Sequence, residues 1–312
     1  MKRIIMSYTV ATIVSLAAVI GLAIQPSTLM AQVQNSTAAT PPAATPPAAT
    51  PPAATSPAAT SPAATSPAAT SPAATSPAAT SPAATSPAAA VTNPACGEVV
   101  QGNVNLTANL KCSGDGIIVG ADNVNINLNG YSIIGPGQQS SKVGVVIPNN
   151  NNIMVTGPGV ISGFQAGILA TGSQNVQVKN IILKNNEIAV FTTGSTNTQV
   201  SDNIINNNNL GIASHSSKSV SLMSNLVNNN QLAGVTLVNS HKAIITANNI
   251  EGGQNGLFLD AQSSENTINM NNVLHNVIDL NNANGLAPNI NVNSYSDNNC
   301  MLSNPSGLCM GR

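Results

Sequence analysis

The sequence has no tryptophan, only three phenylalanines and three tyrosines in 312 residues, and just 6% charged residues. Globular domains carry about a quarter of their residues as charges, so an ordinary charge-studded enzyme surface is excluded. Nine basic residues stand against ten acidic ones. With Lys2 and Arg3 set aside, no basic face remains that could neutralise a phosphate backbone, which excludes nucleic acid as a partner. What the chain has in excess is asparagine, 44 of them between Asn93 and Asn304. That is the composition of a turn-rich repeat.

The first ninety residues cannot form a core. Met1-Lys2-Arg3 precedes a mostly apolar run, residues 4–24, which Gln25-Pro26-Ser27-Thr28 breaks; Leu29-Met30-Ala31 then offers a small residue before Gln32. This order predicts a secretory signal over 1–31. As an uncleaved N-terminal membrane anchor the same run is long enough to span a bilayer, though Ser7, Tyr8, Thr9, Thr12 and Ser15 weaken it. Either reading puts the rest of the chain outside the cytoplasm. Residues 38–87 then repeat Ala-Ala-Thr-Pro-Pro and Ala-Ala-Thr-Ser-Pro. Proline at every fifth position blocks helix and sheet, so 32–92 is expected to be a disordered, extended linker, a stalk whose Thr and Ser suit O-glycosylation.

From residue 93 onward a period of 22–23 residues takes over. Gly144, Gly167, Ala189, Gly211, Gly234, Gly256 and Asp279 form one column, each followed by an aliphatic residue: Val145, Ile168, Val190, Ile212, Val235, Leu257, Leu280. A second aliphatic column reads Val155, Val178, Val200, Leu222, Ile245, Ile268, Ile290, and a third Val160, Leu183, Ile205, Val227, Ile250, Val273, Tyr295. A looser early coil uses Gly116, Ile117, Leu128 and Ile133, and residues 135–141 loop out before the next. Three alternating runs per period, each too short for a helix and bounded by Asn, Gly or Ser, predict three strands and three turns. The fold class is all-β: a single-stranded parallel β-helix over 93–312, stacking about 4.8 Å per coil. Asn203/Asn225/Asn248/Asn271 and Asn185/Asn207/Asn229 fall in turns, where stacked amides can bond from coil to coil.

Residues 255–268, Asn-Gly-Leu-Phe-Leu-Asp-Ala-Gln-Ser-Ser-Glu-Asn-Thr-Ile, resemble the right-handed β-helix repeats of the NosD-type and pectate-lyase-like families. Residues 120–137 are similar to the N-terminal coils of those families. The resemblance covers about 97–295 and implies a right-handed helix. It leaves activity open, because the families include lyases, hydrolases, epimerases and non-catalytic modules.

Catalysis in such families needs clustered carboxylates. Here Glu187, Asp202, Glu251, Asp260, Glu265 and Asp279 each occupy a different column, and the only arginine after Arg3 is Arg312. Asp279 reads as a left-handed turn residue, Glu187 and Asp202 as solvated turn charges. His215 shares a column with Asp260 two coils away, His241 neighbours Lys218, and His275 takes a turn position otherwise held by Asn. No catalytic residue, metal ligand or cofactor is assigned. Four cysteines allow three pairings; the local one, Cys96–Cys112 and Cys300–Cys309, would staple the two ends of the array. Cys300-Met301 and Cys309-Met310 also form soft-ligand pairs suited to Cu(I), and the NosD resemblance implies an association with copper.

One column remains. Two residues after the glycine position the side chain should point outward, giving Val146, Leu169, Phe191, Ala213, Thr236 and Phe258. This apolar stripe is the expected binding face, centred on Val146, Leu169, Phe191 and Phe258, either for a sugar ring or for a second copy. Ser296 to Arg312, or an inter-coil loop, folding back over it is the structural alternative. The reading is an exported, non-enzymatic β-helix with a structural or carbohydrate-binding role, its partner a polysaccharide or envelope component. A polysaccharide-active lyase or hydrolase is the alternative, and a copper-handling protein the third.

Overall fold

The computed structural model describes residues 91–309; the signal or anchor expected at 1–31 and the linker up to residue 90 lie outside them. Apart from one short 3-10 turn, Pro288–Ile290, the regular elements described are all strands. They form three parallel sheets. The first holds ten strands, from Glu98–Val100 to Ser303–Asn304, the second nine, from Val104–Asn105 to Ser294–Ser296, and the third eight, from Leu110–Lys111 to Asn272–Leu274. Each strand pairs with the one a full coil later, so Ile168, Val190, Ile212, Val235, Leu257 and Leu280 stack in register. The fold is the parallel β-helix the period predicts.

Stacking explains why the period is legible. An inward side chain meets its own column neighbours above and below, so each column must stay aliphatic. Val155, Val178, Val200, Leu222, Ile245 and Ile268 are all buried, as are Leu183, Ile205, Val227, Ile250 and Val273. Each such side chain contributes about 1.5–3 kcal/mol of transfer free energy. The glycine column sits within strands rather than turns. A Cβ on Gly167 would lie 2.6 Å from the Ala189 carbonyl oxygen, and close approach between coils, not turn geometry, selects glycine there.

Four residues of these columns depart from the predicted grid. Ile161, not Val160, stacks on Leu183. Ile126, not Leu128, stacks on Val155, with Leu128 buried at the following turn. At the far end Ile290 lies exposed in the 3-10 turn, and Tyr295 pairs with Ile268 in the second sheet rather than extending the third. The reason is an insertion: residues 283–292 form a local loop in which the Asn291 amide bonds Asn284 and the Leu286 carbonyl, and a fixed count of 22–23 runs past it.

Each of the three turns carries its own buried hydrogen-bond ladder. In the first turn the backbone N–H groups of Ser173, Ser195 and Ser240 donate to the hydroxyl of the next coil's serine. In the second, Asn203, Asn225, Asn248, Asn271 and Asn298 pass amide bonds from coil to coil. In the third the ladder is Asn186, Asn208 and Asn230, one residue beyond the predicted column. Asn185, Asn207 and Asn229 instead hold φ of 53°, 54° and 53°, the left-handed conformation that asparagine tolerates.

Candidate functional site

That left-handed residue builds the site. It turns the next asparagine inward to the ladder and leaves the residue after it, Glu187, Asn209 or Gln231, on the outer side of the turn. Three consecutive coils therefore present a carboxylate and two amides in a row, about 4.8 Å apart. The 135–141 loop supplies the facing wall through Gln138 and Gln139, and Asn207 and Asn229 line the other side. The groove has a volume of about 350 Å³. Asn209 Nδ2 donates to Glu187 Oε1 at 2.6 Å, which fixes the carboxylate and leaves its second oxygen free to accept. Next to this groove in sequence and column, Ser140 Oγ and Gln165 Oε1 are buried with no partner.

An amide offers donors and an acceptor side by side, and a carboxylate offers acceptors only. A row of amides around one carboxylate matches a surface of hydroxyl groups, which both donate and accept. It lacks an aromatic platform and a second carboxylate among its lining residues. Sequence reasoning missed the groove. Glu187 reads as an isolated turn charge, and Gln138 and Gln139 as part of a loop with no period. A usable signal was present in the chain: the loop is inserted two coils ahead of Glu187, in the same turn of the repeat.

The other predicted residues fall as follows. Asp202 is an exposed turn residue with φ 58°. Asp279 is not left-handed; it is buried and its Oδ2 accepts from the backbone N–H groups of Met301 and Leu302, closing the last coil. Asp260 is buried too, and Oδ1 accepts from Asn239 N, Ser263 N and Ser263 Oγ. Burial lowers the pKa of His215, and the Asp260 carboxylate opposes that shift. His241 pairs with Lys218 across a coil, and its Nδ1 lies 2.9 Å from Ser264 Oγ. His275 sits exposed at φ 61°. Cys96–Cys112 and Cys300–Cys309 are bonded, with Cα separations of 5.5 and 5.3 Å.

The apolar stripe lies on the outer face of the first sheet, in register from Val146 through Leu169 and Phe191 to Phe258. Its side chains are not open to solvent: Leu169, Phe191, Ala213, Thr236 and Phe258 are all buried, and Val146 is half-buried. Among the described residues, the segment from Ser296 does not fold back over it. Leu308 and the Cys300–Cys309 pair pack against the end of the interior column instead.

The family described as NosD, periplasmic copper-binding protein, matches residues 102–305. No curated protein matches the sequence. Among solved structures the chain is similar to DFA-IIIase from Arthrobacter chlorophenolicus A6 in complex with GF2, at 15% identity and TM-score 0.48 over 63% of this chain. It spans 55% of that protein's length. It is also similar to Dettilon tailspike protein (gp208), at 15% identity and TM-score 0.46 over 68% of this chain and 54% of that one. A third is the A-module of mannuronan C-5 epimerase AlgE6 from Azotobacter vinelandii, at 11% identity and TM-score 0.36 over 68% and 72%. None of these activities follows for this chain. Copper does not fit the residues described: every cysteine sulfur is held in a disulfide, and no three His, Cys, Asp or Glu side chains converge among them. Met301 is exposed beside Cys300, but one thioether next to a disulfide is not a donor set.

Proposed function

The chain belongs to the NosD family, and on that footing we propose that it is an exported, non-catalytic β-helix that binds carbohydrate at the cell surface or in the envelope. The observation that carries this reading is the groove in which Glu187, Asn209 and Gln231 stand in line opposite Gln138 and Gln139. Polar groups at a fixed repeat suit a polymer whose hydroxyls also repeat. Each contact is worth little by itself, about 0.5–1.5 kcal/mol, so affinity grows with the length of glycan engaged. The extended linker would hold the domain away from its attachment point.

A glycan-binding screen on the exported protein tests the proposal. Binding to a neutral or amino-sugar polymer, lost at least tenfold in Glu187→Ala/Asn209→Ala at unchanged melting temperature, supports it. A screen in which no glycan binds, or binding that the double variant leaves intact, overturns it. Hydrolysis requires two carboxylates flanking one bond, and the groove offers Glu187 alone, with no Lys or Arg among its lining residues to serve as a lyase base, so no new reducing or unsaturated ends should form. The family description favours copper handling as a second reading. Its test is elemental analysis of the exported protein, where stoichiometric copper would establish it.

A further inference from the structure

Glu187 carries the only charge among the residues that line the groove; the others are all Asn or Gln. Among the described residues it makes no ion pair, the two pairs there being Lys242–Glu265 and His275–Glu251. Two lysines stand near it in column or sequence without pairing. Lys142 is two coils below, under Gln165, whose backbone N–H donates to the Lys142 carbonyl. Lys184 projects from the outward face of the third sheet, ahead of the turn. Asn209 Nδ2 occupies Glu187 Oε1 at 2.6 Å, and no described residue donates to Oε2. Gln165 lies one coil below Glu187, with Ala166 and Ile188 in register beside them, and Gln165 Oε1 also has no partner. Two acceptors without donors therefore stand on adjacent coils, whose backbones are about 4.8 Å apart.

We propose that the groove takes a glycan whose sugars carry free amino groups, with an ammonium at Glu187 Oε2 and Gln165 Oε1. This rests on the carbohydrate reading above and names the class of sugar. An ammonium presents three donors and no acceptor, the complement of acceptors that lack donors, and its charge balances Glu187. The flanking Asn209 and Gln231 amides are neutral, so they can bond the hydroxyls of neighbouring sugars without competing for the cation. Other occupants fit less well. An N-acetyl group offers one neutral N–H and leaves the carboxylate unbalanced. A uronate brings a second negative charge to a groove with no basic lining residue. A divalent metal ion gathers several hard oxygen ligands, whereas no three His, Cys, Asp or Glu side chains converge among the described residues.

The test is calorimetric titration of the exported protein with oligosaccharides of glucosamine and of galactosamine. Each is used with free amines and again after N-acetylation, and a uronate oligomer is run beside them. A free-amine form should bind at least about tenfold more tightly than its N-acetylated counterpart, which is about 1.4 kcal/mol, and the uronate should not bind. The preference should collapse in about 1 M salt, where screening acts within about 3 Å. Glu187→Gln keeps an oxygen for Asn209 Nδ2 and removes only the charge. It should erase the preference at unchanged melting temperature and leave binding of the N-acetylated form as it was. Equal binding of the two forms, a preference that survives in Glu187→Gln, or binding of the uronate instead would overturn the inference while leaving the carbohydrate reading in place. Failure of these and every other glycan to bind would remove both.

Discussion

Asn225 stands directly under Asn248, its Nδ2 donating to Asn248 Oδ1 at 2.9 Å while its backbone N–H donates to the same oxygen at 3.0 Å. One side-chain oxygen therefore satisfies two buried donors of the coil below, and the pattern repeats up the turn. Asparagine is the residue that can do this: its amide is short enough to reach its own turn and carries donors and an acceptor together. The ladder replaces the water that these turn amides lose on stacking.

Asn225→Leu should be among the most damaging single changes in the protein. It removes the acceptor of Asn203 N, one of the two acceptors of Asn203 Nδ2 (the Val178 carbonyl remains), and the side-chain donor to the Val200 carbonyl. Buried groups left unpaired cost about 1–3 kcal/mol each, so a loss of about 3 kcal/mol or more is expected in urea unfolding. Asn185→Gly, at an exposed left-handed position without a ladder bond, should change stability by less than about 1 kcal/mol.

Val200→Asp tests the interior column. Val200 is fully buried between Val178 and Leu222, and an unpaired carboxylate there has no partner. Hydrogen exchange should show the strands Gln174–Lys179, Thr196–Ser201 and Ser221–Met223 losing protection, with the end coils less affected because each coil contacts mainly its neighbours. Gln199→Asp, one residue away on the outer side of the same strand, should leave exchange unchanged. Equal effects from the two would mean the inward and outward columns are exchanged.

The core was legible because stacking forces each inward position to recur, and only where the count is unbroken. Val160 and Ile161 are both aliphatic, so one residue of slip costs the sequence pattern nothing; the pairing of Ile161 with Leu183 decides it. Likewise the runs Asn185-Asn186 and Asn207-Asn208 carry two asparagines with different tasks, which composition cannot separate. Tyr295 was displaced by the insertion ahead of it. The groove was illegible for a different reason: Gln138 and Gln139 reach Glu187 through a loop with no period, and only the folded chain brings them together. The stripe lies on the sheet face away from the interior column, yet its side chains are buried rather than exposed, which no column of residues records.

The two disulfides should act on the ends of the array separately. Closing separations of 16 and 9 residues contributes about 3 and 2.5 kcal/mol on the chain-entropy model. Cys96→Ser/Cys112→Ser should raise exchange in Glu98–Val100 and its partner strand Ile117–Val119, leaving the C-terminal coil protected. Cys300→Ser/Cys309→Ser should do the reverse at Ser303–Asn304 and Ile278–Asn282. Loss of both ends from either variant would mean the array unfolds as one unit.

His215 should make stability fall on acidification. Burial lowers its pKa from about 6.5, and Asp260 opposes the shift without cancelling it. The folded state then resists a proton that the unfolded chain accepts, so the unfolded state binds more protons once pH drops below about 6.5. The penalty is absent at pH 8, appears as pH falls through the unfolded value, and levels off below the folded one. Replacing the ring with an uncharged amide, His215→Gln, should flatten the melting-temperature profile between pH 7 and pH 5. Asp260→Asn keeps an oxygen for Ser263 and Asn239 but removes the charge, so the His215 ring protons should titrate at a lower pH still by NMR. A midpoint that rises in Asp260→Asn would mean that the carboxylate does not face the ring.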